Sequence, residues 1–467
     1  MSLRRAALIA AAAVELAACD RQPTTDARLL FTGDILLSRQ VAVEMQHTHA
    51  SPWDSVAGLF GSADWVGGNL EGAIGSDETC VAAERDMCFA DPDTTPLLLA
   101  RAHFRAVSVE NNHAGDVGAA GRARTRAALE TAGIVGLDFE HSPRFMRVGN
   151  VTLGVVAVSL VASADGQVQS LPSIELAQKL RLARSLANIV IVSIHWGSEL
   201  QDWPNASQRA DAEWLVGHGA DVVVGHHPHV VQRPECVHGR PVFFSLGNHV
   251  FDQRYPATKD GLIADCRIHS SRMRCGGVRT HTRQGSAMPV VVDNEGAPAL
   301  GACAVDLTPS IVAGGYTLRP EPWSKTTTDS GIALEGWKDG VMKWRTRRVQ
   351  LVSLQPGLAT EGDAHSLLAL ERHPSGMDDV VALRPHVYDV DDRGLIARWR
   401  GTALAWPLID AVVDQSGRLC ALHRGDSFIR LDPHDSATRT MRYKWNGFGF
   451  SATPDSSGAC AAAMRSG

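Results

Sequence analysis

The residues that could do chemistry fall in six short clusters in the first part of the chain, and their types agree with one another. They are Gly33-Asp34, Asn69-Leu70-Glu71, Asn111-Asn112-His113 with Asp116, His195-Trp196-Gly197 with Glu199, Gly225-His226-His227-Pro228-His229, and Gly247-Asn248-His249. Imidazoles, carboxylates and amide oxygens suit borderline-to-hard divalent ions such as Zn, Mn, Fe or Mg, and no thiolate joins the set. In an extended segment alternate residues share a face, so His227 and His229 are expected to enter one site and His226 to point away. The Asn112 oxygen can ligate a metal, while the adjacent His113 can stand beside the ion as an acid without ligating it. The chemistry implied is metal-assisted hydrolysis, in which the ion activates water and polarises the acceptor and an imidazole protonates the leaving group. Phosphoester and amide acceptors both fit these ligand types.

The elements that must position these clusters are short apolar runs. Strand-like runs at 29–32, 63–66, 106–109, 189–194, 222–224 and 242–246 each end just before a cluster, and a further run lies at 151–160. Helical periodicity covers 119–132, 174–187 and 205–219, the last opening on Pro204-Asn205. This βαβ alternation predicts a layered α/β fold, with a largely parallel sheet or a two-sheet sandwich. Ligands bind such folds at the C-terminal ends of the strands, where clusters far apart in sequence can converge. A single histidine after a strand is ordinarily structural. Six polar clusters in one series read differently, because burying them without a ligand is costly.

At these residues, together with Gly118 and Ser245-Leu246, the chain resembles the CapA family of poly-γ-glutamate capsule synthesis proteins, over roughly residues 29 to 255. That family is a branch related to calcineurin-like metallophosphoesterases. The resemblance implies a metallophosphoesterase-like layered α/β sandwich holding one or two divalent ions, with Mn, Zn or Fe expected. It implies Asp34 as a first ligand, Glu71 as the second-motif carboxylate, Asn112 and His195 as ligands of the second metal, and His227 and His229 closing the site. His113 becomes the general acid. Asn69, Asp116, Glu199, Asn248 and Asp252 are expected to orient these groups, or else to serve as turn and cap residues. Two positions depart from the phosphoesterase pattern: Leu36 stands where a histidine is usual, and Glu71 where an aspartate is usual. One metal position is therefore expected to be short of a ligand.

Arg4 and Arg5 precede an apolar stretch at 6–18 that is too short to span a bilayer but has the form of a secretory signal. Leu16-Ala17-Ala18-Cys19 resembles a lipoprotein box, which makes Cys19 the expected lipidated residue, with an ordinary cleaved signal as the alternative. Asp20 resembles an inner-membrane retention signal, so the expected location is the periplasmic side of the inner membrane. Of nine cysteines, eight remain after Cys19 is set aside, and an exported chain favours their pairing. Cys80 with Cys88 and Cys266 with Cys275 would close local loops, leaving Cys236 with Cys303 and Cys420 with Cys460. No C-x-x-C pair supports a structural zinc site instead.

With 467 residues, 44% hydrophobic and 21% charged, the chain is long enough for more than one core. We expect the metal-binding domain over 27–307, a linker rich in Pro, Gly, Ser and Thr over 308–330, and an additional β-rich domain over 331–467. Arg398-Trp399-Arg400-Gly401 and Lys444-Trp445-Asn446-Gly447 form a weak internal echo of propeller-blade type. A net charge of −6 without a basic stripe argues against nucleic acid as a partner. By resemblance, the partners are an anionic envelope polymer or its precursor and membrane synthase subunits. Two functions stay open: a metal-dependent hydrolase or transferase acting on that polymer, and a non-catalytic, membrane-anchored subunit assisting its assembly or export.

Overall fold

The computed structural model describes residues 26–75, 93–292, 300, 303–324, 331–360, 365–375, 380–401, 404, 407–425, 437–455 and 458–466. The segment expected to be a secretory signal, with Cys19, and the stretch expected to close through Cys80 and Cys88 lie outside these residues.

Strands β1 (Ala27–Ile35), β2 (Trp65–Leu70), β3 (Phe104–Ser108) and β4 (Val135–Leu137) form the parallel centre of one sheet. Strands β5 (Arg144–Val148), β6 (Val151–Ser159), β7 (Ile189–His195) and β8 (Val222–His226) belong to a second, in which β6, β7, β8 and Arg240–Phe243 run parallel. The hairpin Asp260–His269 and Arg272–Thr282 extends the first sheet antiparallel from β1. Of the two arrangements left open by the sequence, the structure adopts the two-sheet sandwich.

The two sheets face each other across one apolar core. Leu29, Phe31, Trp65 and Ala106 of the first meet Leu153, Val155, Ile191 and Val224 of the second. The outer face of the first sheet packs under Arg39–Thr48, Thr95–Arg101 and Gly118–Thr131. That of the second packs under Ile174–Leu186 and Ala206–Gly217. Strands β6 and β7 are therefore buried on both faces, which is why they read as unbroken apolar runs. Helix Ile174–Leu186 places Leu176, Leu180, Ala183 and Leu186 inward at helical spacing and starts on a Ser173 cap. Asn205 and Gln208 close a reciprocal capping box at the start of Ala206–Gly217, as Pro204-Asn205 predicts.

Beyond residue 307 the described residues form three four-stranded antiparallel sheets and a final helix, Ala459–Ser466. Part of the stretch expected as linker forms strands of the first of these sheets, Val312–Ala313 and Tyr316–Pro320. Leu354, Leu367 and Tyr388 share an apolar cluster with Leu176 and Leu180. A buried bidentate pair, Arg181 to Asp410 with both bonds at 2.9 Å, fastens the third sheet to the same helix. The tryptophan echo is not a structural repeat: Trp399 lies in the fourth strand of its sheet and Trp445 in the third of the next. Disulfides Cys236–Cys303, Cys266–Cys275 and Cys420–Cys460 form as expected. Among the described residues no helix is long and apolar enough to cross a membrane.

Candidate metal centre

The expected ligands converge where the C-terminal ends of the two parallel strand sets meet. Asp34 sits near the end of β1, Glu71 follows β2 and Asn112 follows β3, all from the first sheet. His195 ends β7, and His226, His227 and His229 end or follow β8, from the second sheet. Bringing them together needs a close backbone approach at Gly33, where a Cβ would lie 1.9 Å from the Gly247 carbonyl oxygen. This approach lets the Asp34 N–H donate to that carbonyl at 3.0 Å.

Asp34 and Glu71 are completely buried. Their ion-pair contacts among the described residues are all with imidazoles: His226 Nδ1 is 3.2 Å and His229 Nδ1 3.3 Å from Asp34, and His229 Nε2 is 3.4 Å and His195 Nε2 4.0 Å from Glu71. Glu71, His227 and His229 offer ligand atoms within 4.8 Å of one another, as do Asp34, Glu71 and His195. Glu71 belongs to both groups and so can serve two ion positions. His195 Nε2 also lies 2.8 Å from Asn112 Oδ1, which joins the predicted pair of second-metal ligands across the two sheets.

Orienting groups surround this set. Asn69 Nδ2 donates to Asp34 at 2.8 Å and to Glu71 at 3.3 Å. Asn111 accounts for the other end of that amide, donating to Asn69 Oδ1 and to the Leu70 carbonyl. Nothing in the sequence assigns Asn111 a role, because its direct attachment to Asn69 is visible only in three dimensions. Asn248 donates through Nδ2 to Gln253 and the Thr258 carbonyl, so its Oδ1 accepts the His229 Nδ1–H at 2.9 Å. That bond leaves His229 Nε2 as the ligating nitrogen, directed at Glu71. Asp116 holds His113 through Nδ1 at 2.9 Å.

Three expectations are corrected. His226 does not point away, because the 227–229 segment is not extended: His227 and His229 adopt φ of 96° and 59°, a left-handed conformation that side chains seldom take. Glu199 is exposed and makes no hydrogen bond to an imidazole among the described residues; only its charge reaches His227. Asp252 pairs with Arg39 and not with a site histidine. His249 is turned into the apolar layer, stacked on Trp53 at 5.6 Å, and burial pushes its pKa down to about 3.

The electrostatics fit a cation. Burial by itself would raise the Asp34 carboxyl, but hydrogen bonds and charge from His226 and His229 outweigh it and hold Asp34 well below the usual range. Burial, with the neighbouring His227, keeps His195 neutral, and burial lowers His227. Burial also acts against the charged form of His229, yet Glu71 and Asp34 raise it well above the usual value. His195 Nδ1 and His227 Nδ1 are buried without hydrogen-bond partners among the described residues. Two buried carboxylates, neutral imidazoles and unpartnered ligand atoms are the donor set a divalent ion satisfies. Near them, His113 sits partly exposed at 21%.

Comparison with known proteins places the region that carries this site in a family. The family model described as Bacterial capsule synthesis protein PGA_cap matches residues 28–253. The PGA biosynthesis protein CapA of Bacillus subtilis (strain 168) is 30% identical over 254 residues, covering 51% of this chain and 67% of that protein. The chain belongs to the bacterial capsule synthesis (PGA_cap) family. The Capsule biosynthesis protein CapA of Bacillus anthracis is 27% identical over 289 residues, 56% of this chain and 69% of that protein. A probable polyglutamine synthesis accessory protein of Mycobacterium tuberculosis (strain ATCC 25618 / H37Rv) is 31% identical over 216 residues, 39% of this chain and 54% of its own length. The family match ends before the three C-terminal sheets, which distinguishes the capsule-synthesis region of this member from its β-rich remainder.

Proposed function

We propose that this protein acts in the synthesis of an anionic envelope polymer, as the capsule and PGA biosynthesis names of its relatives suggest and with poly-γ-glutamate as the polymer the family resemblance implies, as a metal-dependent hydrolase or transferase on the exported side of the membrane. The observation that carries the reading is the pair of fully buried carboxylates, Asp34 and Glu71, whose ion-pair contacts among the described residues are all with imidazoles. Asp34, Glu71, Asn112, His195, His227 and His229 would hold one or two divalent ions of the Mn, Zn or Fe class. His226 stands against Asp34 where Leu36 supplies no ligand, and we assign it to that deficit. A bound ion supplies polarisation of the acceptor and activation of water.

The chain's own contribution beyond holding the ion is proton delivery by His113. Burial disfavours its charged form, but the hydrogen bond it donates to Asp116 and the charge of Glu71 raise its pKa, so it holds the proton that a general acid must deliver. Asp116 occupies Nδ1, leaving Nε2 as the nitrogen that serves the leaving group. The Asn248 bond to His229 and the Asn69 bridge fix ligand orientation.

The departure at Leu36 favours a second reading, in which the centre is structural and the protein is a non-catalytic subunit assisting polymer assembly or export. The deciding experiment offers metal-loaded protein a phosphodiester probe and γ-linked polyglutamate, alongside deletion of the gene in its host. Cleavage lost on metal removal supports the enzyme. If neither substrate is cleaved while deletion still blocks display of a surface polymer, the assembly reading stands instead. We further propose that Cys19 carries the lipid anchor that keeps the protein on the outer face of the inner membrane. A mature N-terminus beyond Cys19 by mass spectrometry would remove that anchor.

A further inference from the structure

The second C-terminal sheet carries a histidine pair that the capsule-synthesis site does not use. Its strands His365–His373 and Ala382–Asp391 are antiparallel, with Glu371 opposite Arg384 and Ala369 opposite His386. Side chains alternate along a strand, so Glu371, His373, His386 and Tyr388 share one face. Glu371 and His386 are buried, and His373 is half-buried at the rim.

The hydrogen bonds determine which imidazole nitrogens are free. Tyr388 Oη donates to Glu371 Oε1 at 2.8 Å, since an ionised carboxylate only accepts. The hydroxyl oxygen therefore accepts from His386 Nδ1–H, 3.0 Å away. His373 Nδ1 lies 2.7 Å from the Pro374 carbonyl, which also only accepts, so this nitrogen too carries the proton. With Nδ1 carrying a proton in both rings, the remaining nitrogen of each is Nε2, and the two Nε2 atoms face each other at 3.4 Å. Two opposed lone pairs repel unless a positive charge lies between them.

The distance helps to decide which charge. Hydrogen bonds from N–H donors cluster at about 2.9–3.0 Å. Two nitrogens on a tetrahedral ion with bonds of about 2.0–2.1 Å stand about 3.3–3.4 Å apart. The third donor is already present, because Glu371, His373 and His386 each offer a ligand atom within 4.8 Å of the others. Arg384, directly across from Glu371, turns donors to the His373 and Val380 carbonyls. Each imidazole is also anchored through its other nitrogen, the arrangement that orients metal-binding histidines.

We propose that Glu371, His373 and His386 form a separate divalent-metal site of the zinc class, with Tyr388 as a positioning residue and one coordination position left for solvent. The proposal does not depend on the function assigned to the first centre.

The test uses the full mature chain, stripped with chelator, loaded with zinc, desalted and measured by elemental analysis. His373→Gln, at the half-buried rim, should bind about one equivalent less than wild type, whereas His227→Ala should keep that equivalent. Tyr388→Phe keeps all three donors and should weaken this zinc about 10–100-fold in a chelator competition. Cobalt loading adds a spectroscopic readout, because the share of the tetrahedral visible band that this site supplies should be missing in His373→Gln and kept in His227→Ala. Equal zinc content in wild type and His373→Gln would overturn the proposal. So would a wild-type protein whose entire zinc content disappears in His227→Ala. A His227→Ala protein that keeps all its metal would count against the first centre alone.

Discussion

Replacing His227 by Ala, beside a control replacement of His113, separates holding an ion from moving a proton. His227 is 7% exposed, its ring lies 4.8 Å from that of His195, and it shares a ligand group with Glu71 and His229. Zinc held by four protein ligands is worth about 10–16 kcal/mol, or about 2.5–4 kcal/mol per ligand if divided evenly. Removing one donor should weaken metal binding by about 10²–10³-fold. His113 is bonded to Asp116 and partly exposed, and none of the ligand groups includes it. Its replacement should leave metal affinity and thermal stability nearly unchanged while lowering any turnover by about 10²–10⁴-fold. Affinity is read by competition against a chelator with zinc or manganese, and turnover with a phosphodiester probe at saturating metal. A folded His227→Ala protein with wild-type affinity would refute the ligand assignment. Loss of metal in His113→Ala would refute the division of roles.

Three further outcomes follow from the geometry. Gly225→Ala would put a Cβ 2.1 Å from the Phe244 carbonyl oxygen and 2.5 Å from Trp196 Nε1, beside the hydrogen bond joining those two groups. It should cost about 1–3 kcal/mol by overpacking and lower the thermal midpoint; an unchanged midpoint would show that the strand ends yield freely. Asp410→Ala removes the carboxylate of a buried pair and should destabilise the protein by about 3–5 kcal/mol in urea unfolding, with a negligible change counting against the docking role of Arg181. Burial alone would raise Asp138, yet His141 and Arg126 bring it down to about 2. A depressed acid stabilises above its unfolded pKa and loses that contribution as pH falls through its folded one, so Asp138→Asn should cost about 2 kcal/mol at neutral pH and converge on wild type near pH 2.

The sandwich and most of the centre were legible because buried parallel strands are unbroken apolar runs. Polar residues immediately after such runs, such as His195 after 189–194, announce the ligand-binding edge. Period-two alternation turns His226 away only if the backbone is extended, whereas positive φ at His227 and His229 re-aims the loop. No residue type at those positions advertises that strain. Helix Arg39–Thr48 escaped notice because Val41 alone among its ten residues is buried, too little apolar pattern to show a helical period. In the C-terminal region the paired tryptophans suggested a repeat. Trp399 and Trp445 instead meet edge-to-face at 6.5 Å and both pack on Phe450, so cross-sheet packing accounts for them.

The division of ligands between the sheets bears on how the two functional readings can be told apart. Asp34, Glu71 and Asn112 come from one sheet and His195, His226, His227 and His229 from the other, so an ion held by both sets cross-links the sandwich at its open edge. Such a cross-link would stabilise the fold whether or not catalysis occurs, because binding to the folded state alone adds its free energy to folding. Loss of polymer display in a ligand variant therefore cannot distinguish an enzyme from an assembly subunit, since both need the folded edge. His113 can, because it stands beside the ligand set, anchored by Asp116, without belonging to either ligand group. If the protein is a structural subunit, His113→Ala in the host should still support polymer display. If proton transfer is its task, the same strain should lose display while its purified protein keeps metal and wild-type stability.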